Sequence, residues 1–203
     1  MVVTDRRSHQ VMERAARQPV IGPAPGRLEH VRAFVNTLDI EAGTDELSSP
    51  RALTRWLRAR DLIGPQQGQA TEDDLRRAIA TREALREVLL AHVGRQLPAG
   101  APVRILRSVA ASLATRVDIG DDGSARPVPD GPAGTAGLGS LLLIAAEAAT
   151  LGTWPRLKVC SADDCQWAFY DRSPTKSGCW CSMAGCGSRA KSRAYRQRAA
   201  ARR

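Results

Sequence analysis

The sequence predicts a mainly α-helical protein with one small β-hairpin, in which a helical N-terminal domain leads into a short cysteine-bearing module and a basic C-terminal helix. Three observations predict this organisation. Apolar residues recur at spacings of three and four along much of residues 28–151, as on one face of an amphipathic helix. All five cysteines fall within residues 160–186. The last 17 residues hold seven Lys/Arg and no acid.

The polar N-terminal stretch, residues 1–26, is predicted to be a flexible arm that ends in the turn-rich segment Pro23-Ala-Pro25-Gly26. The helical domain then spans residues 27–153. Its first helix has one apolar face, formed by Leu28, Val31, Val35 and Leu38. Asn36 in this helix has two interpretations. Its amide either contacts a ligand or ties a helix end or loop by a hydrogen bond.

Two further helices begin at recognisable caps. Ser49-Pro50 starts one, and Thr71 with the acids after it starts a long helix predicted to run to about Leu97.

Arg82 and Arg86 lie inside the apolar arc of that long helix. Either they reach the rim or pair with an acid, for which Glu147 is the favoured internal partner, or they line a site for a small anionic effector.

The rest of the domain contains a helix, a hairpin and a second helix. Apolar residues at helical spacing follow Pro102 and predict one buried seam, formed by Val103, Leu106, Ala110, Leu113 and Val117. A Gly-Asp-Asp-Gly turn predicts a hairpin of residues 116–119 with 125–128. Residues 131–139 are expected to be a flexible loop. Residues 138–151 are expected to be a buried apolar helix, too short to cross a membrane.

Charge is concentrated at the C-terminal end. The 203-residue chain has a net charge of +9, and residues 156–203 hold 11 Lys/Arg against 3 Asp/Glu. That distribution is typical of a nucleic-acid-binding module on a near-neutral domain. The N-terminus lacks the apolar core of a signal peptide, so we expect a cytoplasmic, nucleoid-associated protein without a membrane partner. The oligomeric state is left open.

No nucleotide-binding or catalytic motif is present in the sequence, so we expect no enzymatic activity. The three histidines are scattered along the chain and belong to no recognisable catalytic motif. His92, on the flank of the long helix, is expected to lie at the surface.

The cysteines form two pairs of equal spacing. Cys160 and Cys165 bracket four residues, as do Cys181 and Cys186, and fifteen residues separate the pairs. Four thiolates at such spacing suit one tetrahedral, structural Zn²⁺. Disulfides and unrelated buried cysteines are the alternatives, and the expected reducing compartment favours zinc. Cys179 lies outside the set. Trp167 and Phe169 should pack beside the metal, with Asp171 and Ser173 shaping the following turn.

Residues around these cysteines resemble the CGNR zinc finger of bacterial proteins thought to regulate transcription. The resemblance rests on Val159-Cys160, Cys165, Trp167, Phe169, Asp171, Ser173, Trp180-Cys181-Ser182-Met183 and Cys186-Gly187-Ser188-Arg189-Ala190-Lys191. Serine stands where the family tetrad has asparagine. In addition, Phe34-Val-Asn-Thr-Leu-Asp39 resembles the opening motif of the ABATE domain, which usually precedes this finger. The resemblance implies a sensing or regulatory N-terminal domain, followed by a treble-clef-like or knuckle-type four-cysteine zinc finger over residues 156–203.

The segment after Cys186 favours a helix with two basic stripes. One stripe contains Arg189, Arg193, Arg196 and Arg203, and the other contains Lys191, Arg198 and Arg202. Such a helix suits the major groove of DNA, where Gln197, on the strip between the stripes, could read adenine. The predicted DNA contacts are Arg189, Lys191, Arg193, Arg196, Gln197 and Arg198. The alternative is a protein-interaction or small-anion-binding module with a non-specific basic tail.

Overall fold

A computed structural model describes residues 22–200 of the chain. Its helices are α1 (Leu28–Val35), α2 (Pro50–Arg58), α3 (Glu72–Ala91), α4 (Ala101–Ala111), α5 (Ala133–Thr150) and α6 (Ser188–Ala200). Its strands pair as antiparallel hairpins, β1 (Leu38–Asp39) with β2 (Thr44–Asp45), β3 (Ala114–Ile119) with β4 (Ala125–Asp130), and β5 (Leu157–Val159) with β6 (Ala168–Tyr170). The predicted fold class is confirmed.

The predicted N-terminal arm falls mostly outside the described residues, which begin at residue 22. The end of that segment docks on the domain. Ala24 is buried, and its backbone N–H donates to Glu29 Oε2 over 2.6 Å. The carbonyl of Pro23 accepts from Arg172 Nη2 over 2.7 Å.

Capping residues start α2 and α3 where the sequence predicts them. Ser49 Oγ accepts from the N–H of Ala52 over 3.2 Å. Thr71 and Asp74 form a reciprocal capping box, which satisfies two backbone donors at the start of α3. The helix ends at Ala91, before the predicted Leu97. Gly94, at φ +87°, takes the left-handed conformation that stops a helix at this point.

The glycine-rich start of α5 is helical, so the predicted flexible loop over residues 131–139 is wrong. Glycines at 134, 137 and 139 let neighbouring side chains approach the helix backbone. A Cβ on Gly137 would lie 2.6 Å from Leu57 Cδ1. Added Cβ atoms on Gly134 and Gly139 would overlap Asp74 and Leu113. These glycines therefore serve close packing rather than flexibility.

Helix α5 is the centre of the core. It packs against α1, α3, α4 and β4, and Leu138, Leu141 and Ile144 on it are almost fully buried. By length and composition alone this helix could cross a membrane, but more than half of it is buried inside the fold. It therefore has the character of a core helix of a folded domain.

Helix α4 ends at Ala111, and the chain then enters the β3–β4 hairpin. The predicted hairpin is present and extends further at the end away from its turn, with Ala114 opposite Asp130. The predicted buried seam is wrong at Ala110 and Val117, since Ala110 is exposed and Val109 is buried on α4 instead. Val117 lies on β3 and is 65% exposed.

The last hairpin, β5–β6, belongs to the core of the helical domain. Its buried residues Leu157, Val159, Ala168 and Tyr170 lie in one hydrophobic cluster with α1, α3 and α5. A second cluster contains the four paired cysteines together with Ala162 and Phe169, and Trp167 and Trp180 pack against it. The helical domain and the cysteine module therefore share buried surface, with no linker between them.

Candidate metal centre and basic helix

The first cysteine pair sits on a tight turn between β5 and β6. The N–H of Cys160 donates to the carbonyl of Trp167 over 3.0 Å, which extends the hairpin pairing past Val159. The N–H groups of Cys165 and Gln166 both donate to Ala162, each over 3.0 Å. Gln166 adopts φ +48°, a left-handed conformation that reverses the chain directly after the second thiol.

The second cysteine pair leads directly into α6 through a π-helical turn, Met183–Gly187. Ser182 Oγ accepts from the N–H of Gly185 over 3.1 Å, and Ser188 Oγ donates to the carbonyl of Met183 over 3.0 Å. The side chain of Met183 packs close to Gly187, since a Cβ there would lie 2.9 Å from Met183 Sδ. One cysteine pair on a hairpin turn and the other at a helix start is the arrangement of a treble-clef finger.

The four sulfurs of Cys160, Cys165, Cys181 and Cys186 converge. All lie within 4.8 Å of one another, and all four residues are buried. The sulfur of Cys181 is 3.6 Å from that of Cys165 and 3.7 Å from that of Cys186. Sulfurs bound at about 2.3 Å around a tetrahedral Zn²⁺ would be about 3.8 Å apart. The separations fit one zinc ion and exceed the roughly 2.05 Å of a disulfide.

The electrostatics of the cluster also favour a cation. Hydrogen bonds from Cys165 and Cys181 lower the pKa of the Cys160 thiol, and that anion in turn raises the pKa of Cys165 and Cys181. Thiols this close cannot all ionise without a positive charge between them. A zinc ion supplies that charge, and the four thiolates leave it no open position. The predicted structural zinc site is therefore supported by both distance and charge.

Cys179 stands apart from the four sulfurs that converge. It is half-buried, and its Sγ donates to the carbonyl of Ser177 over 3.4 Å. Its own backbone carbonyl accepts from the N–H of Ser161 over 2.9 Å, which holds the segment before the second pair against the first. Its backbone therefore contributes to the site without its thiol.

A buried ion pair shapes the loop between the cysteine pairs. Lys158 Nζ donates to Asp171 Oδ2 over 2.7 Å, and it also bonds the carbonyls of Lys176 and Gly178. Asp171 accepts in addition from the N–H groups of Ser173 and Gly178, each over 2.9 Å. Burial raises the pKa of Asp171, but these hydrogen bonds outweigh it and lower the value to about 2. Asp171 thus shapes the turn, as the sequence predicts.

The first arginine of α6 joins the metal centre to the helical domain. Arg189 Nη2 donates to Cys186 Sγ over 3.1 Å, and Nη1 donates to Glu41 Oε1 over 2.7 Å. A guanidinium on a ligating sulfur offsets part of the negative charge of a four-thiolate zinc site. Sequence reasoning missed this role, since nothing in the sequence pairs Glu41 with a residue 148 positions later.

The remaining predicted DNA contacts lie on the exposed surface of α6. They are Lys191, Arg193, Arg196, Gln197 and Arg198. No residue of this helix is buried, and its first turn joins the π-helical turn that carries Cys186. The structure therefore presents these five side chains to solvent from one helix that the metal centre anchors at one end.

Asn36 ties the helical domain to the finger. Its Nδ2 donates to the carbonyl of Ala168 over 2.9 Å, and its Oδ1 accepts from the N–H of the same residue over 2.7 Å. Both hydrogen-bonding groups of the amide are therefore used on β6. The interpretation of Asn36 as a tie between segments is confirmed.

His92 provides another tie between the domain and the finger. Its Nδ1 lies 2.8 Å from the carbonyl of Leu157, and its ring packs edge-on against Trp154. The sequence suggested a surface location for His92, and the structure places it half-buried with its Nδ1 used in this tie. Burial lowers the pKa of this histidine.

Arg82 and Arg86 are each only 2% exposed and have internal partners. Arg82 binds Asp45 Oδ1 and Glu83 Oε1, each over 2.7 Å. Arg86 binds Glu83 Oε2 over 3.0 Å. The favoured partner, Glu147, is exposed on α5, so that part of the interpretation is wrong. Both arginines do pair with internal acids, but these acids are Asp45 and Glu83.

The fold and the four-thiolate site define a zinc-finger protein whose metal module is built onto a helical domain. Comparison with family models agrees with this division. The family described as "Putative stress-induced transcription regulator" (ABATE) matches residues 29–155, and the CGNR zinc finger matches residues 156–199. The chain belongs to the ABATE family and ends in a CGNR zinc finger. No curated protein matches the chain.

Proposed function

We propose that this protein is a zinc-dependent, DNA-binding transcription regulator of the cytoplasm and that it is not an enzyme. The observation that carries the proposal is α6, an exposed basic helix whose first turn is fixed by the four-cysteine site. A helix of this kind offers cations at a defined orientation, which distinguishes it from a loose basic tail.

The charge pattern of α6 suits the phosphate backbone. Lys191, Arg193, Arg196 and Arg198 are exposed, and the helix contains no acid to neutralise them. Phosphate contacts from such residues supply affinity and position the helix, whereas base edges supply specificity. Gln197 lies between the two basic stripes, where it would face the bases. An amide there can bind adenine through two hydrogen bonds.

Unlike the other predicted DNA contacts, Arg189 already has partners within the protein. Its guanidinium is bonded to Glu41 and to Cys186, so a phosphate would have to replace Glu41. Its contact with DNA stays a prediction. In the present arrangement Arg189 instead fixes the direction of α6 relative to the helical domain. That connection gives the proposed sensing domain a physical route to the DNA-binding helix.

Salt dependence of DNA binding tests the proposal. If about five cations of the C-terminal segment meet phosphates, log K should fall with log salt at a slope of about 4 to 5. Removal of residues 190–203 should flatten that slope and weaken binding to every sequence. Chelation of zinc should also weaken binding, because the helix would lose its fixed orientation.

Two double variants show whether DNA binding depends on where the cations lie or only on the net charge of the protein. Arg196→Ala with Arg198→Ala removes two cations from α6, and Arg104→Ala with Arg107→Ala removes two exposed cations from α4. We expect only the first pair to reduce the slope, by about 2. In a separate experiment, Gln197→Ala should relax preference at one base pair, at a cost of about 1–3 kcal/mol.

Equal effects of the two double variants would indicate non-specific attraction by net charge. Binding that survives truncation unchanged would place the nucleic-acid surface elsewhere. In that event the favoured function would be a protein-interaction or small-anion-binding module with a structural zinc site.

A further inference from the structure

One strand of the β3–β4 hairpin has an open hydrogen-bonding edge. The N–H of Gly120 donates to the carbonyl of Ser124 over 2.8 Å, which marks that pair as hydrogen-bonded. Hydrogen-bonded and non-bonded pairs alternate along an antiparallel ladder. The pairs of Thr115, Val117 and Ile119 with β4 are therefore the non-bonded ones, and the backbone groups of these three residues point away from β4. Within residues 22–200, those groups have no other partner.

The two edges of the hairpin differ. On β4, the outward positions opposite Val117 and Thr115 are Pro127 and Pro129. Proline has no N–H, so these residues block strand addition on that side. The edge of β3 has no such block. It also carries exposed apolar side chains, since Val117 is 65% exposed and Ile119 is 64% exposed. An open apolar edge of this kind can accept another strand.

The sequence of β3 is complementary to itself in antiparallel pairing. If two copies pair with Val117 opposite Val117, Arg116 of each copy lies opposite Asp118 of the other, which Arg126 of its own chain also contacts over 2.8 Å. Thr115 then lies opposite Ile119. Opposite charges directly across an antiparallel pair stabilise it, and like charges destabilise it. We propose that β3 pairs with β3 of a second copy of this chain, which joins two hairpins into one four-stranded sheet.

This pairing uses all the outward backbone groups. Residues 115, 117 and 119 would form hydrogen-bonded pairs, with about six inter-chain backbone hydrogen bonds in all. The interface is of the two-fold kind, in which the same surface serves both partners. A contact of one strand from each copy is small, so we expect dimerisation to depend on protein concentration. The dimer would carry two copies of α6, although the pairing itself does not depend on DNA binding.

Sedimentation equilibrium of the zinc-loaded full chain tests the proposal. The mass should rise with concentration from 21.9 kDa towards twice that value. Val117→Pro removes the central outward N–H but no hydrogen bond within the hairpin, as Pro127 does on β4. It should raise the dimer dissociation constant at least tenfold. The control Val117→Thr keeps the N–H and the β-branched shape, and should change that constant less than threefold.

A charge exchange tests the register. Arg116→Asp places Asp opposite Asp, and Asp118→Arg places Arg opposite Arg, so each variant alone should be monomeric. An equimolar mixture restores opposite charges at both positions and should form the heterodimer. Recovery on mixing cannot result from a damaged fold. Circular dichroism of each variant checks that the helices are retained.

Any of three results with the full chain would overturn the proposal. They are a wild type that stays at 21.9 kDa at the highest soluble concentration, a dimer that survives Val117→Pro, and folded charge variants that stay monomeric when mixed. A wild type that dimerises only after residues 1–21 are removed would also overturn it. That result would show that the N-terminal segment occupies the edge of β3.

Discussion

Arg86 connects three segments through one guanidinium. Its Nε binds Glu83 within α3, its Nη2 donates to the carbonyl of Val35 at the end of α1, and its Nη1 donates to the carbonyl of Gln166. Gln166 directly follows Cys165, so this arginine contacts the backbone of the metal-binding turn. An arginine presents its donors in a rigid fork, which suits it to such a junction. A lysine would have to reach all three acceptors from one nitrogen, whereas Arg86 uses three separate nitrogens.

The neighbouring Arg82 gives a test of internal pairing against anion binding. Arg82→Ala should lower the free energy of unfolding by about 2–3 kcal/mol, because it leaves the partly buried Asp45 without its partner. Millimolar phosphate or acetate should not shift the wild-type melting temperature. Denaturant unfolding and thermal melts measure the two effects.

Arg76→Ala is the matched control for Arg82→Ala on the same helix. Arg76 and its partner Asp73 are 69% and 66% exposed, so the loss of their ion pair should cost less than about 0.5 kcal/mol. An anion-induced rise in melting temperature that Arg82→Ala abolishes would favour the effector site instead.

The fifth cysteine tests the assignment of the zinc ligands. Zinc content should be unchanged in Cys179→Ser and should fall sharply in Cys181→Ser, since Cys181 belongs to the four-sulfur cluster and Cys179 does not. Metal analysis of the purified variants measures this directly. The opposite pattern would show that Cys179 is the third ligand.

The functional residues that can be predicted from the sequence are those whose partners lie close to them in the chain. The two four-residue loops predict the zinc ligands because both loops are short enough to bring two sulfurs to one ion. Glu41 and Arg189 are different, since their contact spans 148 positions and depends on how the finger docks. The tie from Asn36 to Ala168 spans 132 positions. The sequence suggests that the Asn36 side chain forms a hydrogen bond, but it does not predict that the partner is Ala168.

Helix α5 shows how packing overrides local preference. Glycine is unfavourable inside a helix by about 1 kcal/mol relative to alanine. Gly137 nevertheless lies within α5, where the side chain of Leu57 occupies the space that a Cβ would need. Composition alone therefore predicts a loop, and tertiary contact produces a helix. The caps at Ser49 and Thr71 were predictable because they act within one turn of the chain.

Gly137→Ala should be destabilising although it raises helix propensity. The overlap with Leu57 should cost about 1–3 kcal/mol, which exceeds a propensity gain of about 1 kcal/mol. Denaturant unfolding checks the sign. In a Leu57→Ala background the same substitution should be neutral or stabilising, because the space is then free. A wild-type background in which Gly137→Ala stabilises the protein would contradict the packing explanation.

At the scale of the whole molecule, the finger completes the domain core. Leu157, Val159, Ala168 and Tyr170 are buried among residues of α1, α3 and α5. The sequence predicts two neighbouring units because the change in composition near residue 155 is sharp. It does not predict the shared core, since β5 and β6 have only three residues each and carry little periodicity.

Removal of the finger should therefore damage the helical domain. A chain of residues 1–155 should melt at a lower temperature than the full chain and bind a hydrophobic dye, because it exposes the surface that β5 and β6 cover. Removal of residues 190–203 alone should leave the melting temperature nearly unchanged, since α6 buries no residue. A 1–155 fragment as stable as the full chain would show that the two units fold independently.

Helix α6 projects from the metal cluster, because its first turn follows the π-helical turn that carries Cys186. Its 13 residues, at a rise of 1.5 Å each, extend about 20 Å from that cluster. A rotation of about 10° at the base would carry the far end through about 3 Å, roughly the length of one hydrogen bond. Glu41 of the helical domain contacts Arg189 at the start of α6. A small displacement of Glu41 that rotated the start of α6 would therefore make or break contacts at the C-terminal end of this helix.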